Sequence, residues 1–134
     1  MEDKVMKTIL TIEESQRLID LGVDPKLASE CVSAMKVCAS GRGIIRLPES
    51  NPIFTLTDLL SILPESYFSE EYYAEMNLSI EVLNGKWFVN YRYYSGGELA
   101  AQDVERESPE LIDALYQLLI WCLESKIIKL KKGI

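Results

Sequence analysis

The side chains of this chain that could move protons, hold metals or attack a substrate are carboxylates, lysines, tyrosines and three cysteines; histidine is absent. Without imidazole, the commonest general base and metal ligand are gone, and any reaction must run on carboxylate, Lys, Tyr or thiol groups. Glu70 with Glu71, and Glu105 with Glu107, are pairs that could serve as acid and base or grip a hard cation. Neither lies in an Asp-x-Asp-x-Asp-Gly loop or beside a Glu-x-x-His, so surface acids are the better reading. Cys31 and Cys38 fall seven apart on a predicted helix, about 10 Å along its axis, which is too far for a disulfide. With no Cys-x-x-Cys spacing and no dense cationic surroundings to favour a thiolate, they read as small buried hydrophobes, as does Cys122. The glycine turns Ser40-Gly41-Arg42-Gly43 and Ser95-Gly96-Gly97-Glu98 lack the Gly-Lys-Ser/Thr or Gly-x-Gly-x-x-Gly layout of a phosphate cradle. No residue set specifies a catalytic centre, a cofactor or a metal.

The run Lys86-Trp87-Phe88-Val89-Asn90-Tyr91-Arg92-Tyr93-Tyr94 interleaves cations and rings as a single-strand nucleic-acid reader does. Strand alternation weakens that reading. It puts Trp87, Tyr91 and Tyr93 on one face with Val89, where a core needs bulk, and leaves Phe88 outward with Lys86 and Arg92. Charge points the same way: 14 basic against 21 acidic residues give a net charge of -7, which opposes a phosphate backbone. The acids concentrate. Residues 65–113 hold eleven acids against three bases, whereas residues 126–134 carry four lysines and no acid. An acidic, tyrosine-rich stretch suits a basic protein partner or imitates the charge of DNA; a plain solvated surface is the simpler account.

These groups need a scaffold, and 134 residues are enough for one domain with one core. Residues 1–134 read as that single domain, with 1–5 as an extension that frays and 126–134 as a basic tail. The opening residues lack the apolar run of a signal peptide, and no stretch approaches the ~18 apolar residues that cross a bilayer, so a cytoplasmic location is expected. Thr11-Ile12-Glu13-Glu14 is a capping box that should start a helix ended by Gly22. Asp24-Pro25 should start a second helix, with Leu27, Ala28, Cys31, Val32, Met35 and Cys38 as its inward stripe. Pro48 and Pro52 reduce residues 44–53 to a loop with at most a short edge strand. Thr55 or Thr57 caps a short third helix that Pro64 stops, and residues 65–77 read as an irregular connection.

Asn84-Gly85 fits a two-residue type I′ turn, which fixes the register of a hairpin: Leu83 opposite Lys86, Val82 opposite Trp87, Ile80 opposite Val89, Leu78 opposite Tyr91. Residues 98–104 return as a third strand. Ser108-Pro109-Glu110 then starts a long helix whose Leu111, Ile112, Leu115, Leu118, Leu119, Cys122 and Leu123 should lie on the hairpin's apolar face. The expected class is α+β: three N-terminal helices, an antiparallel meander of two or three strands, and a C-terminal helix across it.

The segments Leu10-Thr11-Ile12-Glu13-Glu14-Ser15, Leu21-Gly22-Val23-Asp24-Pro25, Phe54-Thr55-Leu56-Thr57-Asp58-Leu59-Leu60-Ser61-Ile62-Leu63-Pro64, Leu111-Ile112-Asp113-Ala114-Leu115 and Leu119-Ile120-Trp121-Cys122-Leu123-Glu124 resemble small uncharacterised proteins of Bacteroides-type gut bacteria, many encoded near phage or mobile elements. Those motifs are caps and core patterns. The resemblance implies a bacterial cytoplasmic origin and no assigned activity.

The function expected from these residues is a non-enzymatic protein-interaction module. Tyr67, Tyr72, Tyr73, Phe88 and Arg92 are the candidate surface, a protein is the partner, self-association is compatible, and neither membrane nor nucleic acid is expected. Two other readings stay open: a small enzyme using carboxylate or thiol chemistry, and an acidic DNA-mimic-type inhibitor of a DNA-acting protein. A deep apolar pocket holding a desolvated Glu, Tyr or Cys would favour catalysis; a flat patch around Phe88, Tyr72 and Tyr73 would favour a partner.

Overall fold

The structure is a computed structural model that describes residues 6–37 and 44–127. It is α+β, with two antiparallel sheets and a C-terminal helix packed on the larger one. Helix α1 (Ile12–Asp20) begins with the capping box read from the sequence: Thr11 accepts from the Glu14 amide and the Glu14 carboxylate accepts from the Thr11 amide. It ends at Gly22, whose φ of 114° lets the Gly22 amide reach the Ile19 carbonyl and the Val23 amide reach that of Leu18. Helix α2 (Leu56–Ile62) has a second such box, between Thr55 and Asp58. Asp24 and Pro25 do start a helical turn, but it is one 3-10 turn, Pro25–Leu27.

The expected second helix is not there. Strand β1 (Glu30–Val37) pairs antiparallel with β2 (Ile44–Ile53), from Glu30 opposite Ile53 to Val37 opposite Ile44. Cys31 is therefore exposed on a strand rather than buried on a helix, and Cys38 lies outside the described residues. Pro48 and Pro52 are accommodated because β2 is bulged: three β2 residues, 47–49, oppose the single Ala34, and Pro52 faces Cys31 next to the strand's end. Residues 8–10 run alongside the chain after β2, with the Leu10 amide on the Phe54 carbonyl and the Leu56 amide on that of Thr8.

The larger sheet has four strands in the order β3 (Ser66–Ser69), β4 (Ala74–Leu83), β5 (Lys86–Ser95) and β6 (Glu98–Ser108). The β4–β5 register is the one that Asn84-Gly85 dictates, with Asn84 and Gly85 at φ 52° and 76°. Residues 65–77, expected to be irregular, supply β3 and the first part of β4. Strand β6 runs on to Ser108, so Ser108 does not cap the last helix, α3 (Leu111–Glu124); Glu110 takes that position, and its carboxylate accepts from the Lys7 amide at 3.0 Å. Two register shifts between β5 and β6 mark bulges that increase the coiling of the sheet. The coiling is strong enough that Tyr67 on one edge strand hydrogen-bonds Asp103 on the opposite edge strand, and Tyr72 reaches the Gln102 carbonyl at 3.3 Å.

Helix α3 packs on β5 and β6, with α2 beside it. Its Ile112, Leu115, Leu118, Leu119 and Cys122 are fully buried against Met76, Val89 and Tyr91. Lys7 binds the layers together at the edge, with its ammonium 2.7 Å from Asp113 at the start of α3 and 3.2 Å from Glu14 of α1. Leu118→Ala is expected to destabilise the fold by about 2 to 5 kcal/mol through lost burial and the cavity left behind. In urea unfolding the midpoint should fall with the slope unchanged.

Candidate functional site

The five residues singled out from the sequence do not form one surface. Tyr67 points inward, edge-on to Tyr91 with ring centres 4.9 Å apart and 6.2 Å from Trp121, and its hydroxyl donates to Asp103. Phe88 and Arg92 lie on the opposite, outer face of the sheet. Tyr72 and Tyr73 sit at the β3–β4 turn. The residue that joins them to the outer face is Phe68, which alternation places opposite to Tyr67: its ring meets Tyr73 edge-on at 5.3 Å. Phe68 is 57% and Tyr73 83% exposed. Tyr73 also has φ 52°, a left-handed conformation that disfavours any residue with a Cβ. Reading residues 66–69 as a strand would have found Phe68; treating the segment as irregular hides it.

Arg92 organises the outer face. Its guanidinium lies 2.6 Å from Glu81 and 3.5 Å from Glu105, donates to Gln102 at 2.8 Å, and meets the Tyr94 hydroxyl at 3.2 Å. Burial alone would lower its basicity, but contact with Tyr94 and Glu81 outweighs this, so the group is held more firmly protonated than usual. Asn90 is fully buried between these residues and donates to Glu105 at 3.2 Å, while its side-chain oxygen has no hydrogen-bond partner among the described residues. Glu75 and Glu107, across from Phe68 and Phe88, complete a face whose charge is mainly acidic.

The groups that could have carried catalysis are held in structural bonds. Burial raises the Tyr91 hydroxyl far above the usual phenol range, and that hydroxyl donates to the Pro64 carbonyl at 2.8 Å. Burial first, then the bond to Asp103, does the same to Tyr67. The Cys122 thiol, 4.0 Å from the Tyr91 oxygen, is pushed up to about 11 by burial, which keeps it protonated and unreactive at neutral pH. Asp58 accepts from the Ser29 amide at 2.8 Å, the Ser29 hydroxyl, and the Thr55 amide at 2.9 Å, so its carboxylate is already fully engaged. An open depression of about 660 Å³ is lined by Thr8, Ile9, Ser29, Cys31, Thr55 and neighbouring residues. Among the described residues no three His, Cys, Asp or Glu side chains come together as a metal site, and no helix is long and apolar enough to cross a membrane.

Sequence patterning also misses the far end of the β4–β5 hairpin. Ile80 and Val82 alternate with Leu78 toward the face covered by α3, yet they are 37% and 58% exposed, and Leu83 at the turn is exposed too. Alternation reports the face on which a residue lies and not whether the cover extends that far. Comparisons with family models, with curated proteins and with solved structures find no match to this chain.

Burial pushes the Asp58 carboxyl up, but the bonds from Ser29 and Thr55 outweigh it and hold the group below its ordinary 3.8. Because the folded value lies below the unfolded one, the stabilisation is complete above pH 3.8 and is lost as pH falls through the folded value. Asp58→Asn should cost about 1 to 3 kcal/mol at pH 7. Urea titrations from pH 7 downward should show the gap between wild type and variant closing as the medium becomes more acidic than that value.

Proposed function

We propose that this chain is a non-enzymatic protein-interaction module. The observation that carries the reading is the aromatic corner at the β3–β4 turn, where Tyr73, 83% exposed as a residue, is held in a left-handed backbone conformation with its ring against Phe68. A backbone conformation that costs about 1 to 2 kcal/mol, kept at a ring that packs little of the core, is better explained by recognition than by folding. The engagement of Asp58, Tyr67, Tyr91 and Cys122 in structural bonds supports this reading over an enzyme using carboxylate or thiol groups.

The outer-face acids Glu75, Glu81, Glu105 and Glu107 favour a basic partner. A narrower version of the same idea is an acidic DNA-mimic-type inhibitor of a DNA-acting protein, supported by that face and by the net charge of -7. A cytoplasmic location and a phage or mobile-element origin belong to the proposal, the first on the character of the opening residues and the second on the resemblance to small proteins encoded near such elements.

Tyr73→Gly separates binding from stability, because glycine adopts the positive φ without strain. The variant's thermal midpoint should hold or rise, while a partner captured by the wild type from a lysate of the encoding organism should be lost, as it should with Phe68→Ala. Capture should weaken with added salt. Equal capture by wild type and Tyr73→Gly, or no capture by wild type at low salt, would remove the proposal.

A further inference from the structure

The hairpin leaves a second recognition element of a different kind. A two-residue turn makes Leu83 and Lys86 the hydrogen-bonded pair that closes it, so odd-numbered residues of β4 direct their N–H and C=O groups at β5 and even-numbered ones direct them away. The Leu78 amide agrees: it donates to the Glu65 carbonyl, on the β3 side, at 2.9 Å. Pairing with β3 stops there, since its four pairs end at Asn77 opposite Ser66. Ile80 and Val82 therefore present two amide donors and two carbonyl acceptors along an edge that no described strand occupies.

This edge differs from the others in the same sheet. Strand β3 is four residues long, and β6 is interrupted by two register shifts and carries Glu98, Asp103, Glu105 and Glu107. Short length, bulges and charges are the usual means of keeping an edge from pairing. Residues 78–83 of β4 have neither bulge nor proline, and their register with β5 is unbroken. Toward the α3 side the edge offers Ile80 and Val82, with half-buried Trp87 across from Val82; toward the outer side it offers Glu81, whose Oε1 is held by Arg92 at 2.6 Å while the side chain is still 52% exposed.

We propose that the β4 edge at residues 79–83 is a strand-addition site for an extended segment of a partner protein in which basic and apolar residues alternate. The backbone groups of Ile80 and Val82 supply the ladder, their side chains receive the apolar residues, and the Glu81 carboxylate, which gives Oε1 to Arg92, faces a Lys or Arg with its exposed side. A second copy of the chain fits less well. The antiparallel register that uses both Ile80 and Val82 sets Glu81 of each copy against the other, an unfavourable like-charge pair. The proposal rests on the interaction-module reading and names the chemistry of its partner.

The probe is a blocked hexapeptide of alternating valine and lysine, compared with one of alternating valine and glutamate, each added at millimolar concentration to the full chain while amide exchange is followed by NMR. The lysine peptide should slow exchange at Ile80 and Val82 on the order of tenfold near nine-tenths saturation, and the glutamate peptide should not. Glu81→Lys should reverse that preference, and Val82→Pro, which lacks the donor, should abolish the effect. Tyr73→Gly should leave it intact, so that a failed aromatic corner and a failed edge are told apart. Equal protection by both peptides, or by neither, would overturn the site. Protection that grows with protein concentration alone would assign the edge to a second copy and overturn the peptide site. Protection already present without peptide and removed by ending the chain at Ile127 would assign it to the chain's own tail, with the same consequence.

Discussion

The constraint on which this architecture depends is that one helix must cover one face of a four-stranded sheet, and the helix is narrower than the sheet. A helix is about 10 Å across, while four strands about 4.8 Å apart set the outer two about 14 Å from each other. Where α3 lies over β5 and β6, the side chains between them are fully buried: Val89 and Tyr91 from the sheet, Ile112, Leu115, Leu118 and Cys122 from the helix. Tyr91 fixes the alignment, because its ring packs on Tyr67 and Trp121 while its hydroxyl is committed to Pro64. Beside that region β4 continues past the end of β3 as an uncovered edge, apolar on the side the helix would have covered: Ile80 is exposed while Val89, directly opposite it on β5, is fully buried. The exposed Ile80 and Val82 are a geometric consequence of this mismatch rather than an isolated departure from patterning.

The other side of the sheet is shaped by its coiling. The bulges of β6 let the sheet coil until its two edge strands approach, and the contacts of Tyr67 with Asp103 and Tyr72 with Gln102 hold the two edges together. Coiling brings Tyr67 into the core and leaves Phe68, one residue on, facing outward. Two neighbouring aromatics of equal apparent value thus receive opposite roles: Tyr67 joins the packed interior, and Phe68 supports the exposed ring of Tyr73.

Local chemistry is legible wherever it closes within a few residues. The capping box at Thr11 and Glu14, the left-handed Gly22, the Asn84-Gly85 turn with its register, and the apolar stripe of α3 all involve partners near in sequence. The segment from Glu30 to Val37 invites a helical reading because its small and apolar residues satisfy a helical period as well as a strand alternation, and the deciding partner, residues 44–53, is distant and contains two prolines that argue against a strand. Gly41 and Gly43 lie in sequence between two strands that pair with each other. Residues 65–77 mislead for a related reason: four residues are too few to show a period, and β3 exists because β4 offers it a ladder. The candidate surface is legible only in part, since alternation separates Phe88 and Arg92 from Trp87 and Tyr91 but does not show that Arg92 is already paired with Glu81 and Glu105.

In the proposed recognition, this arrangement divides the labour between side chains and backbone. The arginine, the inward-facing Tyr67 and Tyr91, Asp58 and Cys122 are used up in holding the fold, so what is left to engage another molecule is apolar surface, ladder hydrogen bonds and the exposed parts of the outer-face carboxylates. These are concentrated on strands β3 to β5, whose geometry is fixed by the helix on one side and the Arg92 network on the other. A rigid presenting element reduces the ordering cost of association, which otherwise cancels much of what a small contact area can contribute. An interface built this way needs few residues and no motif of the kind that marks a catalytic centre. The acidic outer face would bias which partners approach, and the β4 edge that no described strand occupies would decide which of them can align.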